Sequence, residues 1–255
     1  MIKYVDMSHD DDLKSVCRYH NTYSCRIMCL FDSYGLNFDG VQFWVQYNDE
    51  LPVSAISKYN TDITVMLTEK SDIAELSEFL KVVGFSSVLS DKVIFDDQPY
   101  STGVVMALSQ NTANSAESEI SGDLRMTDHP NLKEVYRLLS DCRDSDFIVP
   151  SYEDFMLDTS HKLRHGTAKC TAVFLKEKCI AYAMTVAQSD TCAVIGAVAV
   201  QKEYRRRGIG SICAKALCGQ LKDREIFIMR DKSRNEEFYR SLGFENIGEF
   251  VIIRN

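Results

Sequence analysis

The chain has 255 residues, enough for one large domain or two small ones, and its 45% apolar content is that of a globular protein. No run of about 18 apolar residues occurs, so a membrane span is not expected. The net charge of −8 is uneven: residues 1–122 hold 8 Lys+Arg against 18 Asp+Glu, and residues 123–255 hold 21 against 19. Such an acidic surface disfavours nucleic acid and suits cationic amines, although plain solvation is the simpler reading.

In chain order, Ser8 before Asp10, Asp11 and Asp12 predicts a capped helix start, with helical character to about Leu30. Val41 to Asn48 alternates as a strand, turns at 48–52, and returns as Val53 to Tyr59, a hairpin. Ile63 to Leu67 is a third strand. Ser71 is placed to cap a helix with Ile73, Leu76, Leu80 and Val83 on one face, stopped by Gly84. Apolar runs at 86–89, 93–95 and 104–108 follow. Residues 109–122 have linker composition and coincide with the change in charge. The expected division is therefore 1–108, a linker at 109–122, and 123–255.

In the second half, Leu124–Met126 reads as a short strand, and Asp128 as the cap of a helix carrying Leu132, Val135, Tyr136 and Leu139. Ser151 opens another helix, ending at Gly166. Strands at 169–175 and 179–186 form a hairpin, and 192–200 is the next strand. Arg205-Arg206-Arg207-Gly208-Ile209-Gly210-Ser211 then turns into a helix with Ile212 and Ala216 inside. After a strand at 225–229, Asn235 caps a short helix with Phe238, Tyr239 and Leu242, and 250–253 is the last strand. The nine cysteines are scattered without a C-x-x-C, so they read as small buried hydrophobes in a reducing cytoplasm, with no metal. Residues 1–6 lack the apolar core of a secretion signal.

A strand that delivers a glycine turn to a helix N-terminus is an anion site, because the first helical amides lack partners and the helix dipole favours negative charge. A dinucleotide fingerprint needs a third glycine at 213, which is Cys213, and no Gly-Lys-Ser/Thr follows, so both nucleotide loops fail. Three arginines in a loop are ordinarily solvated surface, and Tyr239 beside Phe238 could be core.

Residues 123–255 resemble the GNAT superfamily of acyl-CoA-dependent N-acetyltransferases. Arg205-Arg206-Arg207-Gly208-Ile209-Gly210 is similar to the family's Gln/Arg-x-x-Gly-x-Gly/Ala loop, after Val198-Ala199-Val200 and Glu203-Tyr204-Arg205. Phe238-Tyr239-Arg240-Ser241-Leu242-Gly243-Phe244 is similar to its Phe-Tyr-x-x-x-Gly-Phe element. The resemblance implies an α/β GNAT fold on a mixed sheet, and acetyl-CoA as cosubstrate. It implies that backbone amides from Arg205 to Ser211 hold the pyrophosphate. Backbone groups near Val198, Ala199 and Val200 would hold the pantetheine arm and the thioester oxygen. Asn235 and Phe238 would flank the coenzyme, and Tyr239 would protonate the leaving thiolate. The acceptor amine, its general base and the oligomeric state stay open; His161, His165, Glu153 and Asp154 border the usual acceptor region without an assigned role. The rival reading is a coenzyme-A-binding sensor without turnover.

Glu78 to Phe85 resembles Glu237 to Phe244, which suggests a tandem chain whose first half is a reduced GNAT-like copy. In that alignment Leu80 stands where Tyr239 would be, and no basic Gly-x-Gly turn precedes it.

Overall fold

The computed structural model describes residues 1–19, 21–109, 123–144 and 147–255. The first half runs β1 (Ile2–Tyr4), α1 (Asp10–Val16), α2 (Thr22–Tyr34), β2 (Val41–Asn48), β3 (Leu51–Tyr59), β4 (Asp62–Met66), α3 (Ile73–Val83), β5 (Ser87–Ser90) and β6 (Tyr100–Leu108). The second runs β7 (Leu124–Thr127), α4 (Leu132–Asp141), α5 (Tyr152–His165), β8 (Cys170–Leu175), β9 (Lys178–Gln188), β10 (Cys192–Val200), α6 (Ile209–Gly219), β11 (Glu225–Asp231), α7 (Glu236–Ser241) and β12 (Phe244–Arg254). The linker expected at 109–122 lies, apart from Ser109, outside the described residues.

The twelve strands among the described residues form one mixed sheet, ordered β1-β2-β3-β4-β5-β12-β6-β11-β10-β9-β8-β7. Each half repeats the same series, strand, two helices, three strands, helix, strand. In each, a helix links a parallel pair: α3 joins β4 to β5 and α6 joins β10 to β11. The last strands are exchanged. β6 lies between β11 and β12 of the second half, and β12 lies between β5 and β6 of the first.

Several expected helix starts shift. The acidic segment gives two helices, because the chain turns at residues 17–19 and Asn21 caps α2 through the amides of Tyr23 and Ser24. Ser8 caps nothing; its hydroxyl bonds Asp6 and His9. Asp72, not Ser71, caps α3. Ser71 instead binds Ser54 and the Thr68 amide. Asn131, not Asp128, caps α4. Ser151 does cap α5, and Gly84 and Gly166 end their helices as expected.

The alignment of Glu78–Phe85 with Glu237–Phe244 is corrected. The first segment belongs to α3, which occupies the topological place of α6; the second belongs to α7. The counterpart of α7 is the stretch 91–99, which contains no helix. Leu80 is therefore a core residue of α3, fully buried with Ile56, Ile63 and Leu76, and not the counterpart of Tyr239.

The sheet of the second half is covered on one face by α6, through Cys213, Ala214 and Leu217 against Ala183, Ala193, Ile195 and Ile228. The other face is covered by α4 and α5, through Val135, Leu138, Leu139 and Phe155 against Ala172, Phe174 and Tyr182. Beside them the first half's α2 reaches across, with Cys25 and Cys29 on Cys192, Val194 and Phe227. All nine cysteines are free thiols and seven are buried.

At the centre of the exchange, Gly103 of β6 lies between Asp231 and Phe250. A Cβ there would stand 2.1 Å from the Phe250 ring and 2.6 Å from the Arg230 carbonyl. The carbonyl belongs to a central strand and cannot move aside. Gly103→Ala is expected to lower stability by about 1–3 kcal/mol, read as a lower urea midpoint with an unchanged slope.

Candidate active site

β10 is paired with β11 only from Cys192 to Ile195, opposite Glu225 to Ile228. Beyond that row the two parallel strands separate. On its other side β10 slips register against β9 between Gly196 and Ala199, leaving Ala197 and Val198 without a register partner on either strand. Ala197 has φ +49°, the left-handed region a β-carbon disfavours, so the bulge is held by its surroundings. Ala199 is buried in the core under α4 and α5, and pairing resumes at Ala199 and Val200 opposite Tyr182 and Ala181.

The turn from β10 to α6 uses its glycines differently. Gly208 has φ +77° and sits immediately before α6. Gly210 packs against β10, where an added Cβ would stand 3.0 Å from Val200 Cγ2. No side chain caps α6, so its first amides remain available to an anion. The equivalent α3 differs: Asp72 accepts from the Glu75 amide and fills that seat with its own carboxylate.

A cleft of about 1020 Å³ opens where β10 has left β11. One wall is Val198, Ala199, Val200, Gly208, Gly210 and Ser211, with Arg205 and Arg206 beside them. The facing wall is Asn235, Phe238 and Tyr239. The structure thus gathers every sequence-predicted site residue except two. Ile209 turns its side chain into the core under α6. Arg207 stands over the Tyr204 ring, 5.4 Å from its centroid.

Two expectations change in detail. The Val200 carbonyl is not free: it accepts from Arg205 Nε at 2.9 Å and from the Cys142 thiol at 3.5 Å. Asn235 precedes α7 in the left-handed region (φ +58°), and its side chain caps nothing.

Tyr239 packs edge-on to Phe238 and Phe244, with ring centroids 5.0 and 6.0 Å apart. Burial pushes its phenol up to about 12, against the opposing effect of Arg230. It is therefore a protonated donor across the neutral range. Glu236 is held below its usual value by the hydrogen bond from Arg240, and further by Arg230.

Sequence reasoning missed the parts that shape the facing wall. Arg230 is 6% exposed. It donates to the carbonyls of Asp231, Lys232 and Arg234 and, at 2.6 Å, to the Glu236 carboxylate. These bonds curl the β11–α7 loop that presents Ser233 to Asn235. Asp144, in the loop after α4, pairs with Arg234 at 3.0 Å and closes one end of the cleft, beside Cys142 and Phe147. The charged run Arg230-Asp231-Lys232-Ser233-Arg234 was the available signal, but nothing local says that its first arginine is buried.

Asp154, His161 and His165 of α5 have other partners. Asp154 receives the Ser151 hydroxyl. His161 stacks between Tyr34 and His165, with Nε2 2.6 Å from the Ser33 carbonyl. Among the described residues no group of His, Cys, Asp and Glu is arranged to hold a metal, and no helix is long and apolar enough to cross a membrane.

Comparison with known proteins agrees with this geometry. Residues 132–244 match the model of the acetyltransferase (GNAT) family. The match to the GNAT acetyltransferase domain thus falls in the second half of the chain. Over its whole length it is similar in fold to an X-ray structure of a Drosophila melanogaster protein, with TM-score 0.70 and 14% identity over 100% of this chain and 98% of that one. It is likewise similar to a tandem GNAT protein from the clavulanic acid biosynthesis pathway, with TM-score 0.64 and 10% identity over 100% and 98%. A GNAT-family acetyltransferase from Colwellia psychrerythraea matches with TM-score 0.55 and 11% identity over 100% and 99%. No curated protein matches the sequence. The fold is that of GNAT proteins, in the tandem arrangement.

Removing the buried Arg230 leaves the loop carbonyls it serves without their donor, whereas Glu236, whose own side chain is exposed, returns to water. Arg230→Met is expected to lower stability by about 1–3 kcal/mol in urea unfolding. Arg230→Lys, which keeps the charge but not the fan of donors, should recover only part of that loss.

Proposed function

We propose that this protein transfers an acetyl group from acetyl-CoA to a primary amine, at one site in the second half. The observation that carries the reading is the parting of β10 from β11 beside an uncapped, glycine-led helix, with a protonated tyrosine on the facing wall. The α6 amides and the turn from Arg205 to Ser211 would hold the pyrophosphate. The bulged backbone at Ala197 and Val198 would pair with the pantetheine arm and polarise the thioester carbonyl, an oxyanion-type stabilisation. The amine nitrogen attacks that carbon and gives up a proton to solvent, the C–S bond breaks, and the Tyr239 phenol gives its proton to the departing thiolate and regains one from solvent.

In this reading the chain divides into 1–108, a GNAT-like half without a coenzyme turn, and 123–255, the catalytic half. The first half contributes α2, which packs on Cys192, Val194 and Phe227 beneath the site. The nine free thiols fit a reducing cytoplasm.

A second reading, a coenzyme-A-binding sensor without turnover, draws support from the Val200 carbonyl, which Arg205 and Cys142 already occupy. Two measurements separate them. Calorimetry is expected to show acetyl-CoA binding, and its absence at millimolar ligand removes both readings. An amine panel with thiol-release detection is expected to show turnover, whereas binding with no turnover on any amine leaves the sensor.

For Tyr239→Phe, kcat should fall by about 10²–10⁴-fold with little change in KM for acetyl-CoA. Because the phenol is raised, loss of the acid form comes only as pH climbs toward about 12. The wild-type kcat profile should therefore show no alkaline limb below pH ~10 arising from this group. An unchanged kcat in the variant, with chemistry rate-limiting, removes the role.

A further inference from the structure

One backbone group of the cleft is already taken. The Gln201 amide donates to the Ile180 carbonyl, and the pair before it along the ladder is Val200 with Ala181. Bonded and unbonded pairs alternate in an antiparallel ladder, so Val200 turns its own amide and carbonyl away from β9. They face the space between the parted strands, and Val200 lines the cleft there. Two donors converge on this carbonyl. Arg205 Nε stands at 2.9 Å, and the thiol of Cys142, at the end of α4, stands at 3.5 Å. A carbonyl oxygen has two lone pairs, so no seat remains for the amide of a ligand.

Arg205 is lightly held in this position. The residue is exposed, and among the described residues it forms no ion pair. Its remaining contact is a long one, from Nη2 to the Cys142 sulfur at 3.8 Å. It also opens the turn that leads through Gly208 to the uncapped amides of α6. The guanidinium thus lies between a neutral acceptor that it holds and a seat for an anion. A guanidinium bonds a phosphate oxygen more strongly than a neutral carbonyl, because both partners are then charged.

We infer that Arg205 is a latch that couples the two ends of the coenzyme site. With the turn empty, it covers the Val200 carbonyl and keeps an amide-bearing arm off β10. An anion at the turn draws the guanidinium across and returns one lone pair of that carbonyl to the arm. The inference deepens the coenzyme reading above and rests on it. It makes Arg205 a specificity-determining residue: thioesters that carry phosphate release the latch themselves, and thioesters of the same arm without phosphate meet it closed. The coupling is reciprocal, so an arm bound on β10 favours an anion at the turn by the same factor.

The test separates the two ends. One probe is S-acetyl-N-acetyl-β-alanylcysteamine, a thioester that keeps both amides of the arm and stops short of the phosphate. The other is inorganic pyrophosphate. Binding of each, alone and with the other saturating, is measured by calorimetry on the full-length protein and on Arg205→Met. In wild type, pyrophosphate is expected to tighten the truncated thioester about 10-fold, and the thioester to tighten pyrophosphate equally. Arg205→Met should bind the truncated thioester about 10-fold more tightly than wild type when no pyrophosphate is present. In that variant, pyrophosphate should add nothing to thioester binding. Independent binding of the two probes to wild type overturns the inference, and this result needs no variant. So does an Arg205→Met protein that binds the truncated thioester no better than wild type. A truncated thioester that fails to bind even with pyrophosphate, while acetyl-CoA binds, overturns the latch and leaves the coenzyme reading standing. If acetyl-CoA itself does not bind, the coenzyme reading fails and the latch with it.

Discussion

The site depends on one departure from regularity: β10 must leave β11 after Ile195 while staying joined to β9. A parallel pair that parts inside a domain exposes backbone donors and acceptors that a continuous ladder would satisfy. It also requires Ala197 to hold a left-handed conformation, at a cost of about 1–3 kcal/mol. The surrounding packing bears that strain. Ala199 is anchored under α4 and α5, Gly210 lets α6 sit directly against Val200, and Arg205 reaches back to the Val200 carbonyl. On the other side of the gap, Arg230 curls its loop inward so that Asn235, Phe238 and Tyr239 face the opening. The cleft is thus the space left by two strands that diverge, and its walls are the groups that stabilise the divergence.

Much of this was legible from local pattern. The strand at 192–200, the glycine turn and the helix after it are each specified by residues within a few positions, and the second half's element order follows directly. Where several polar residues stand side by side, local pattern could not choose between them. Ser71 and Asp72 can both cap α3, and the decision falls to Gln46, whose side chain binds the Asp72 amide and carbonyl from β2. The polar run Glu245–Glu249 concealed the first half of β12, because those residues form a strand with exposed side chains. Pairings across long separations, such as Asp144 with Arg234 or Tyr34 with Asp158, leave no mark in a sequence read by windows. The apparent match between α3 and α7 shows the opposite error. Two amphipathic helices ending in Gly-Phe look alike locally, and only their places between strands tell them apart.

The two halves share a topology and differ in electrostatics at one point. In the second half a glycine leads α6 and leaves its amides bare; in the first, Asp72 leads α3 and occupies them. A carboxylate at that position repels phosphate while satisfying the helix. The first half is thereby closed to a phosphate ligand at its own turn, and its helices α1 and α2 are left as a cover for the shared sheet.

The exchanged strands bear on how the chain reaches this state. β6 has its two neighbours in β11 and β12, more than a hundred residues further along, and β5 is flanked on one side by β12. The middle of the sheet is therefore assembled entirely from contacts of large sequence separation, the kind that slows folding because loop closure precedes any gain from pairing. Until β11 and β12 have emerged, β5 and β6 each present open hydrogen-bonding edges. The arrangement that fuses two copies into one sheet thus makes neither half complete before the other, and it lengthens the time during which the nascent chain depends on its net negative charge to stay apart from its neighbours.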